Sequence, residues 1–303
     1  MVDLDSDGRL DILSGSYWPG EIWLFRGKGG GAFEKGGAID DAGGGKLHAG
    51  PPWKDKENPE MDSLAAAPFA YDHDGDGDLD LLVGNIRGRV ILIRNEGSRE
   101  KPAFGKSKTP IEAGGAAIEV PGGDAGPTIA DWDSDGKPDL IVGAGDGSVF
   151  WYRNKGSKTS PAYEKGVALV KGGGYEGLSE APLEGSTPQG PGMRTKPCVT
   201  DFDGDGDQDL LVGDYMSFRK PAPVLTDAQT KRRDELRKER DAAIDKLQGW
   251  GNVKKPEDPE VQEVQKKFGE ILQELSPLED GHQPHGFVWL YRRASKAPPG
   301  TEF

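Results

Sequence analysis

The sequence predicts an all-β repeat protein with the architecture of a β-propeller and one inserted α-helical hairpin. Three observations predict it: an acidic loop occurs four times, short apolar runs flank its copies, and a highly charged segment interrupts the last repeat. Glycine (46 residues) and proline (23 residues) are abundant, and only 34% of the chain is hydrophobic. Because aromatic and β-branched residues still recur in short clusters, we interpret the glycines as turn residues between strands and not as a sign of disorder.

The repeated loop has the pattern D-x-D-x-D-G-x-x-D, and its residues are numbered here as positions 1 to 9. The four copies begin at Asp3, Asp72, Asp131 and Asp201 and are called loops 1 to 4. Successive repeats are therefore about 60 to 70 residues long, which suits one four-stranded propeller blade plus a connection.

Apolar runs around the loops predict the strands of each repeat. In the last three repeats a run that begins with proline enters the loop, at residues 68–71, 127–130 and 197–200. The runs that leave the loops are 12–15, 81–84, 140–143 and 210–213, and the third runs are 22–26, 90–94, 149–153 and 288–292. The candidates for a fourth strand are 103–104 with 117–120, and 162–163 with 167–170. The first repeat lacks an entering strand, and the last lacks a clear fourth strand.

These strands predict a single propeller, or part of one, over residues 1–303. The predicted blade units are approximately 1–45, 66–120, 125–172, and 195–215 together with 286–293. Since Met1 stands two residues before loop 1, we expect the chain to start inside a structural unit.

The sequence pattern of residues 222–280 predicts the inserted helical hairpin. Thr226 and Gln229 have the spacing of a capping box, and Asp258 followed by Pro259 is typical of a second helix start. The second helix carries an amphipathic stripe. Its apolar residues are Val261, Val264, Phe268, Ile271, Leu272 and Leu275.

The acidic loops predict calcium binding. Calcium prefers six to eight oxygen ligands, and a tight turn with glycine at position 6 can bring the carboxylates of positions 1, 3 and 5 to one point. Position 7 can add its backbone carbonyl, and the aspartate at position 9 can close the shell. The candidate ligands are Asp3, Asp5, Asp7, Arg9 and Asp11; Asp72, Asp74, Asp76, Asp78 and Asp80; Asp131, Asp133, Asp135, Lys137 and Asp139; and Asp201, Asp203, Asp205, Asp207 and Asp209.

The alternative is an aspartate-rich turn without a metal, since Asp and Gly are ordinary turn residues. Four or five carboxylates within nine residues repel one another unless a cation neutralises them, and this favours calcium. The loop is not an EF-hand, which requires flanking helices and a glutamate at its twelfth position.

Charge and composition exclude several functions. The net charge of -14 argues against nucleic acid as a partner, and no apolar run is long enough for a membrane span. The single cysteine, Cys198, cannot form an internal disulfide, and we expect it to be a small buried residue. His282 and His285 predict an exposed loop and not half of a metal site. No serine-hydrolase, metalloprotease or phosphate-loop motif is present.

The unit of strand, D-x-D-x-D-G-x-x-D loop, D-L-L-V-G strand and third strand resembles the FG-GAP/VCBS repeat family. That family includes the propellers of integrin α-subunits and many secreted bacterial proteins. The resemblance covers residues 1–215 and 286–293 and implies one calcium ion per loop, up to four in all. It also implies an extracellular, cell-surface or periplasmic location. Propellers of that family usually have seven blades, whereas four units are recognisable here.

Two functions are compatible with this resemblance. The first is a non-catalytic module that binds an unknown protein or glycan through variable loops, among them Tyr17–Pro19 and Tyr215–Phe218. The second is the propeller portion of a secreted carbohydrate-active enzyme, a polysaccharide lyase or hydrolase. We favour the first, because every dense group of aspartates already belongs to a calcium loop.

Overall fold

The computed structural model describes residues 1–50, 63–173, 181–250 and 258–293. It is mostly β-sheet with two α-helices. The chain forms two compact units. The first comprises Met1–Glu176, Pro188–Met216 and Gly286–Phe303, and the second comprises Gly177–Thr187 and Ser217–His285.

Four antiparallel sheets follow one another along the chain, one for each acidic loop. The first contains β1 (Ile12–Gly15), β2 (Ile22–Phe25) and β5 (Gly37–Ala38), with a separate pair of β3 (Gly27–Gly29) and β4 (Ala32–Phe33). The second contains β6 (Ala67–Tyr71), β7 (Asp80–Gly84), β8 (Val90–Ile93) and β9 (Thr109–Pro110), followed by a small hairpin of β10 (Glu112–Ala113) and β11 (Ala116–Ala117). The third contains β12 (Gly126–Ala130), β13 (Asp139–Gly143), β14 (Val149–Tyr152) and β15 (Val167–Val170). The fourth contains β16 (Met193–Thr200), β17 (Asp209–Lys220), β18 (Gly281–His285) and β19 (Val288–Tyr291), and both β18 and β19 pair with β17.

The sheets of the first unit pack face to face, which explains why their strands are apolar on both sides. In β7, Leu81 and Val83 pack in the cluster shared with the first sheet, whereas Leu82 packs in the cluster shared with the third. Ile141 of β13 packs with Leu210 of β17 in a further cluster. Because successive side chains of a strand point to opposite faces of the sheet, each strand contributes side chains to both interfaces.

In the first three repeats, the glycine that ends the second strand allows the next sheet to approach closely. A Cβ atom at Gly15 would lie 1.8 Å from the carbonyl oxygen of Ala66, and one at Gly84 would lie 2.0 Å from that of Ala125. At Gly143 the corresponding distance to Thr195 is 2.1 Å. Among the described residues, a Cβ atom at Gly213 in the fourth sheet would meet only the carbonyl oxygen of Lys196, which lies 3.7 Å away on the partner strand β16.

The outer face of the fourth sheet is exposed. Val288 and Leu290 of β19 are 74% and 37% exposed, although the equivalent Val90 and Leu92 of β8 are almost fully buried. Cys198 of β16 lies on the same face and is exposed as well. The prediction that this cysteine is buried was therefore wrong. A residue on this face of a sheet is buried only where the next sheet packs against it.

The predicted fourth strands of the repeats agree only in part with the observed ones. Val167–Val170 is the predicted strand of the third sheet, and it pairs with β14. In the second sheet the fourth strand is Thr109–Pro110, and residues 117–120 do not take that place. Ile118 and Val120 are apolar because they fill the core between the second and third sheets. Among the described residues, no strand pairs with the outer edge of β19.

The second unit contains the predicted helices, α1 (Asp227–Trp250) and α2 (Pro259–Leu275). The capping box is confirmed, since the amide of Gln229 donates to Thr226 Oγ1 at 3.3 Å and the amide of Thr226 donates to Gln229 Oε1 at 3.0 Å. Asp258 caps α2 as predicted. The helices are antiparallel, as shown by the ion pair that joins Arg232 near the start of α1 to Glu274 at the end of α2.

Two segments expected to be loops are strands. Tyr215–Phe218 continues β17, with Met216 and Phe218 buried. His282 and His285 lie in β18, where the His285 ring contacts Phe218 edge-on at 5.0 Å. The pairing of β17 with β18 extends the strand beyond the run that the apolar pattern predicts. Neither helix in the described part of the chain combines the length and apolarity needed to cross a membrane.

Candidate metal centre

Each acidic loop is closed by the aspartate at position 1. In loop 2, Asp72 accepts hydrogen bonds from the amides of Gly75 at 2.7 Å and Gly77 at 3.2 Å. In loop 3, Asp131 accepts from Asp135 at 3.0 Å and Gly136 at 2.9 Å. Loop 1 has the same arrangement as loop 3, and loop 4 the same as loop 2. The backbone therefore curls around this carboxylate.

Two positions of the loop adopt a left-handed backbone. Position 6 has a positive φ in all four copies, from 83° at Gly8 to 96° at Gly77, as its glycine predicts. Position 4 has one as well, with φ of 57° at Ser6 and 59° at Ser134. The left-handed backbone at position 4 was not predicted, although a small residue stands there in every copy: Ser6, Gly75, Ser134 and Gly204.

The aspartate at position 9 is almost fully buried in every loop and ties the loop to the strands. Asp139 Oδ1 accepts a hydrogen bond from the amide of Asn154, 2.7 Å away at the end of β14, and Oδ2 accepts one from Trp132 at 3.3 Å. The Oδ1 atoms of the other three copies accept equivalent bonds, from Gly27, Asn95 and Arg293. This residue thus fixes the position of the loop as well as adding a carboxylate.

The carboxylates converge at one point in each loop. Ligand-type oxygens of three aspartates lie within 4.8 Å of one another in every copy. The groups are Asp3, Asp5 and Asp7; Asp72, Asp74 and Asp76; Asp131, Asp133 and Asp139; and Asp201, Asp203 and Asp209. Positions 1 and 3 belong to every group, whereas the third member is position 5 in loops 1 and 2 and position 9 in loops 3 and 4.

Unsatisfied oxygens in loops 1 and 2 indicate that these two loops fit a hard cation. Asp5 Oδ1 and Asp74 Oδ1, both at position 3, are buried without a hydrogen-bond partner. A buried carboxylate oxygen without a partner is costly, and a cation that prefers oxygen ligands would satisfy it. The ligands that would hold calcium are the converging aspartates.

Position 7 contributes to the loop through its backbone amide. The amides of Arg9, Asp78, Lys137 and Asp207 each donate to the aspartate at position 5. This role is independent of the side chain, which agrees with the variety of residues at the position. The proposal that their carbonyl oxygens bind a metal remains a prediction.

Burial raises the pKa of the position-9 carboxyl in loops 2 and 3. Desolvation raises the pKa of Asp80 to about 6 and shifts that of Asp139 upwards. At the solvent-facing position 5, a hydrogen bond from the Arg9 side chain lowers the pKa of Asp7. The buried inner part of the loop therefore disfavours negative charge until a cation compensates it.

In all four repeats, an arginine at the end of the third strand contacts the carboxylate at position 3 of the acidic loop. This contact was not predicted. Arg153 Nη2 lies 2.5 Å from Asp133 Oδ2, and Arg292 Nη1 lies 3.5 Å from Asp203 Oδ2. Arg26 contacts Asp5 and Arg94 contacts Asp74 in the same way. The signal was present, because each third run ends in arginine.

A second missed feature is the asparagine that follows this arginine in the second and third repeats. Asn154 is fully buried, and its Oδ1 accepts hydrogen bonds from Gly156 at 2.8 Å and Ala162 at 3.0 Å. Asn95 makes the equivalent bonds. The shared sequence R-N-x-G-S marks this turn, whose role is structural.

Comparison with known proteins agrees with this geometry. The model of the FG-GAP-like repeat matches residues 72–142 and 131–212. Residues 72–212 consist of FG-GAP-like repeats. The matched segments run from the start of loop 2 to residue 212 in β17, so they contain three of the four acidic loops. No curated protein and no solved structure matches the chain.

Proposed function

We propose that this FG-GAP repeat chain is a calcium-binding module of the β-propeller type that binds a protein or glycan without catalysing a reaction. The observation that carries the calcium proposal is the convergence of three aspartates in each of four loops. The further ligands would be the remaining aspartates of each loop and the carbonyl oxygen of position 7.

The propeller proposal is supported by the repeated sheet geometry. The second and third sheets are four-stranded antiparallel meanders in strand order, as propeller blades are. The first strands of successive sheets are in contact, β6 with β12 and β12 with β16. Blades that radiate from an axis bring their innermost strands together in this way.

The proposed binding surface lies at the turns between the second and third strands, at the other end of the strands from the acidic loops. Tyr17 and Trp18, in the turn between β1 and β2, are 55% and 58% exposed. The Arg194 guanidinium lies over the Tyr17 ring at 5.5 Å and pairs with Asp124 at 2.9 Å, which holds the ring in place. Exposed aromatic rings beside charged groups suit the apolar faces and hydroxyl groups of sugars. We propose an extracellular or cell-surface location, where calcium is plentiful.

Calcium binding is tested by titration and melting. The ion-free protein should bind up to four calcium ions in calorimetry. At a calcium concentration of 100 times Kd, calcium at one site adds about 2.7 kcal/mol to the free energy of unfolding. This raises the melting temperature by at least about 5 °C. EDTA should reverse the shift. An unchanged melting curve together with no detectable metal in elemental analysis would contradict the proposal.

The surface is tested on a glycan array in the presence of calcium. Tyr17→Ala and Trp18→Ala should each lower glycan retention at least about tenfold, as the loss of an aromatic contact at a binding surface does. Phe202→Ala is the matched control, because Phe202 is an aromatic residue of similar exposure (53%) at the acidic-loop end. Equal loss in all three variants would argue against this surface. Cleavage of polysaccharides by the wild-type chain would instead support the carbohydrate-active enzyme.

A further inference from the structure

The arginines that end the third strands share a geometry that packing alone does not require. Arg26, Arg94, Arg153 and Arg292 stand at the same place in four repeats, and each pairs with the position-3 aspartate of its own loop. Arg153 is the least exposed of them, and its Nη2 atom also lies 3.4 Å from Asp135 Oδ2. The guanidinium thus faces the group of carboxylates from the side of the third strand.

A guanidinium in this place has two electrostatic effects. It stays protonated at every pH a protein tolerates, so it always offsets part of the repulsion among the loop carboxylates. It also repels any cation bound by the same carboxylates, and position 3 belongs to all four converging groups. The first effect stabilises the loop without a metal, and the second weakens the binding of the metal.

We infer that these arginines are resident counter-cations: each supports its loop in the metal-free protein and lowers the affinity of that loop for calcium. The inference rests on the proposed calcium binding and concerns its regulation. Calcium would displace the guanidinium from the position-3 carboxylate. The loops would then be folded before calcium binds, and their calcium affinity would be lower than without the arginine.

Loop 3 allows a test at a single site. Trp132 occupies position 2 of this loop, and the corresponding residues of the other loops are Leu4, His73 and Phe202. Terbium, an oxygen-seeking ion of similar size to calcium, emits when a nearby tryptophan is excited. Terbium emission excited through Trp132 would therefore report on loop 3, and Trp132→Phe should remove that part of the signal. Competition with calcium then measures the calcium affinity of this loop.

The variant is Arg153→Gln, which removes the charge and keeps most of the side-chain length. Calcium should bind loop 3 on the order of tenfold more tightly in this variant than in the wild type. In EDTA its melting temperature should fall by about 1–3 °C, the effect of losing one partly exposed ion pair. Arg153→Lys keeps the charge and should stay close to the wild type in both measurements.

Arg89→Gln is the matched control for net charge. Arg89 pairs with Glu119 at 3.6 Å, and neither residue belongs to an acidic loop. This variant should leave the terbium and calcium affinities of loop 3 unchanged. Unchanged or weaker calcium binding in Arg153→Gln would overturn the inference while leaving the proposed function intact. A wild-type chain that binds neither ion would instead refute the proposed function, and with it the inference.

Discussion

Asp139 and Asp135 belong to the same loop and contribute differently to the protein. Asp139 is fully buried and accepts amide hydrogen bonds from Asn154 and Trp132, whereas Asp135 is more exposed and accepts one from Lys137 at 3.0 Å. The first residue therefore holds the fold together, and the second contributes mainly negative charge at the proposed metal site.

We therefore expect Asp139→Ala and Asp135→Ala to differ in EDTA. Asp139→Ala leaves two amides without a partner and should lower the free energy of unfolding by about 3 kcal/mol, but Asp135→Ala by less than about 1 kcal/mol. Urea denaturation in EDTA measures both changes. In calorimetry, Asp135→Ala should weaken one calcium site and leave the other three occupied. Equal destabilisation by the two substitutions would contradict this division of roles.

At the scale of the strand, the glycine that ends the second strand in the first three repeats determines how closely the next sheet packs. Gly84 lies against the backbone of Ala125, where a side chain has no room, whereas Gly213 has no such neighbour among the described residues. Glycine is otherwise unfavourable inside a strand, so its presence at Gly84 is explained by this contact.

Gly84→Ala should consequently destabilise the protein by about 1–3 kcal/mol, since the second and third sheets must move apart. Gly213→Ala is the control, and it should be neutral or slightly stabilising, because alanine reduces the entropy of the unfolded chain. Midpoints of urea denaturation at fixed calcium concentration compare the two. A destabilising Gly213→Ala of the same size would show that strand propensity, and not the contact between sheets, explains the effect.

At the scale of the whole molecule, the two units differ in their relation to the acidic loops. All four loops lie in the first unit, and both helices lie in the second. The second unit has its own small core of Leu236, Ile271 and Leu275. An ion that binds only the loops stabilises the unit that contains them.

Calcium should therefore raise the melting temperature of the first unit more than that of the second. The helical signal in circular dichroism at 222 nm follows α1 and α2, and tryptophan fluorescence follows mainly the first unit, which contains six of the seven tryptophans. We expect the helical transition to change by less than about 2 °C between EDTA and saturating calcium, while the transition of the first unit moves by at least about 5 °C. Identical shifts of both signals would mean that the two units unfold as one cooperative body.

The sequence by itself determined the β-rich repeat fold, the acidic loops and both helix starts, because each depends on residues close together in the chain. The D-x-D-x-D-G-x-x-D spacing brings Asp72 and Asp74 together through one tight turn, and the Thr226–Gln229 capping box is equally local. These features need no knowledge of distant contacts.

Only the tertiary structure decided which residues are buried and which distant groups meet. Cys198 is exposed because no sheet formed by the described residues covers its face, and Ile118 is apolar because it fills the core between two sheets rather than forming a strand. The pairing of Arg153 with Asp133 joins a residue directly after β14 to one in loop 3, twenty positions earlier in the chain, which no local pattern specifies. Such contacts depend on how sheets pack, and the apolar alternation of a strand is the same whether or not a neighbouring sheet is present.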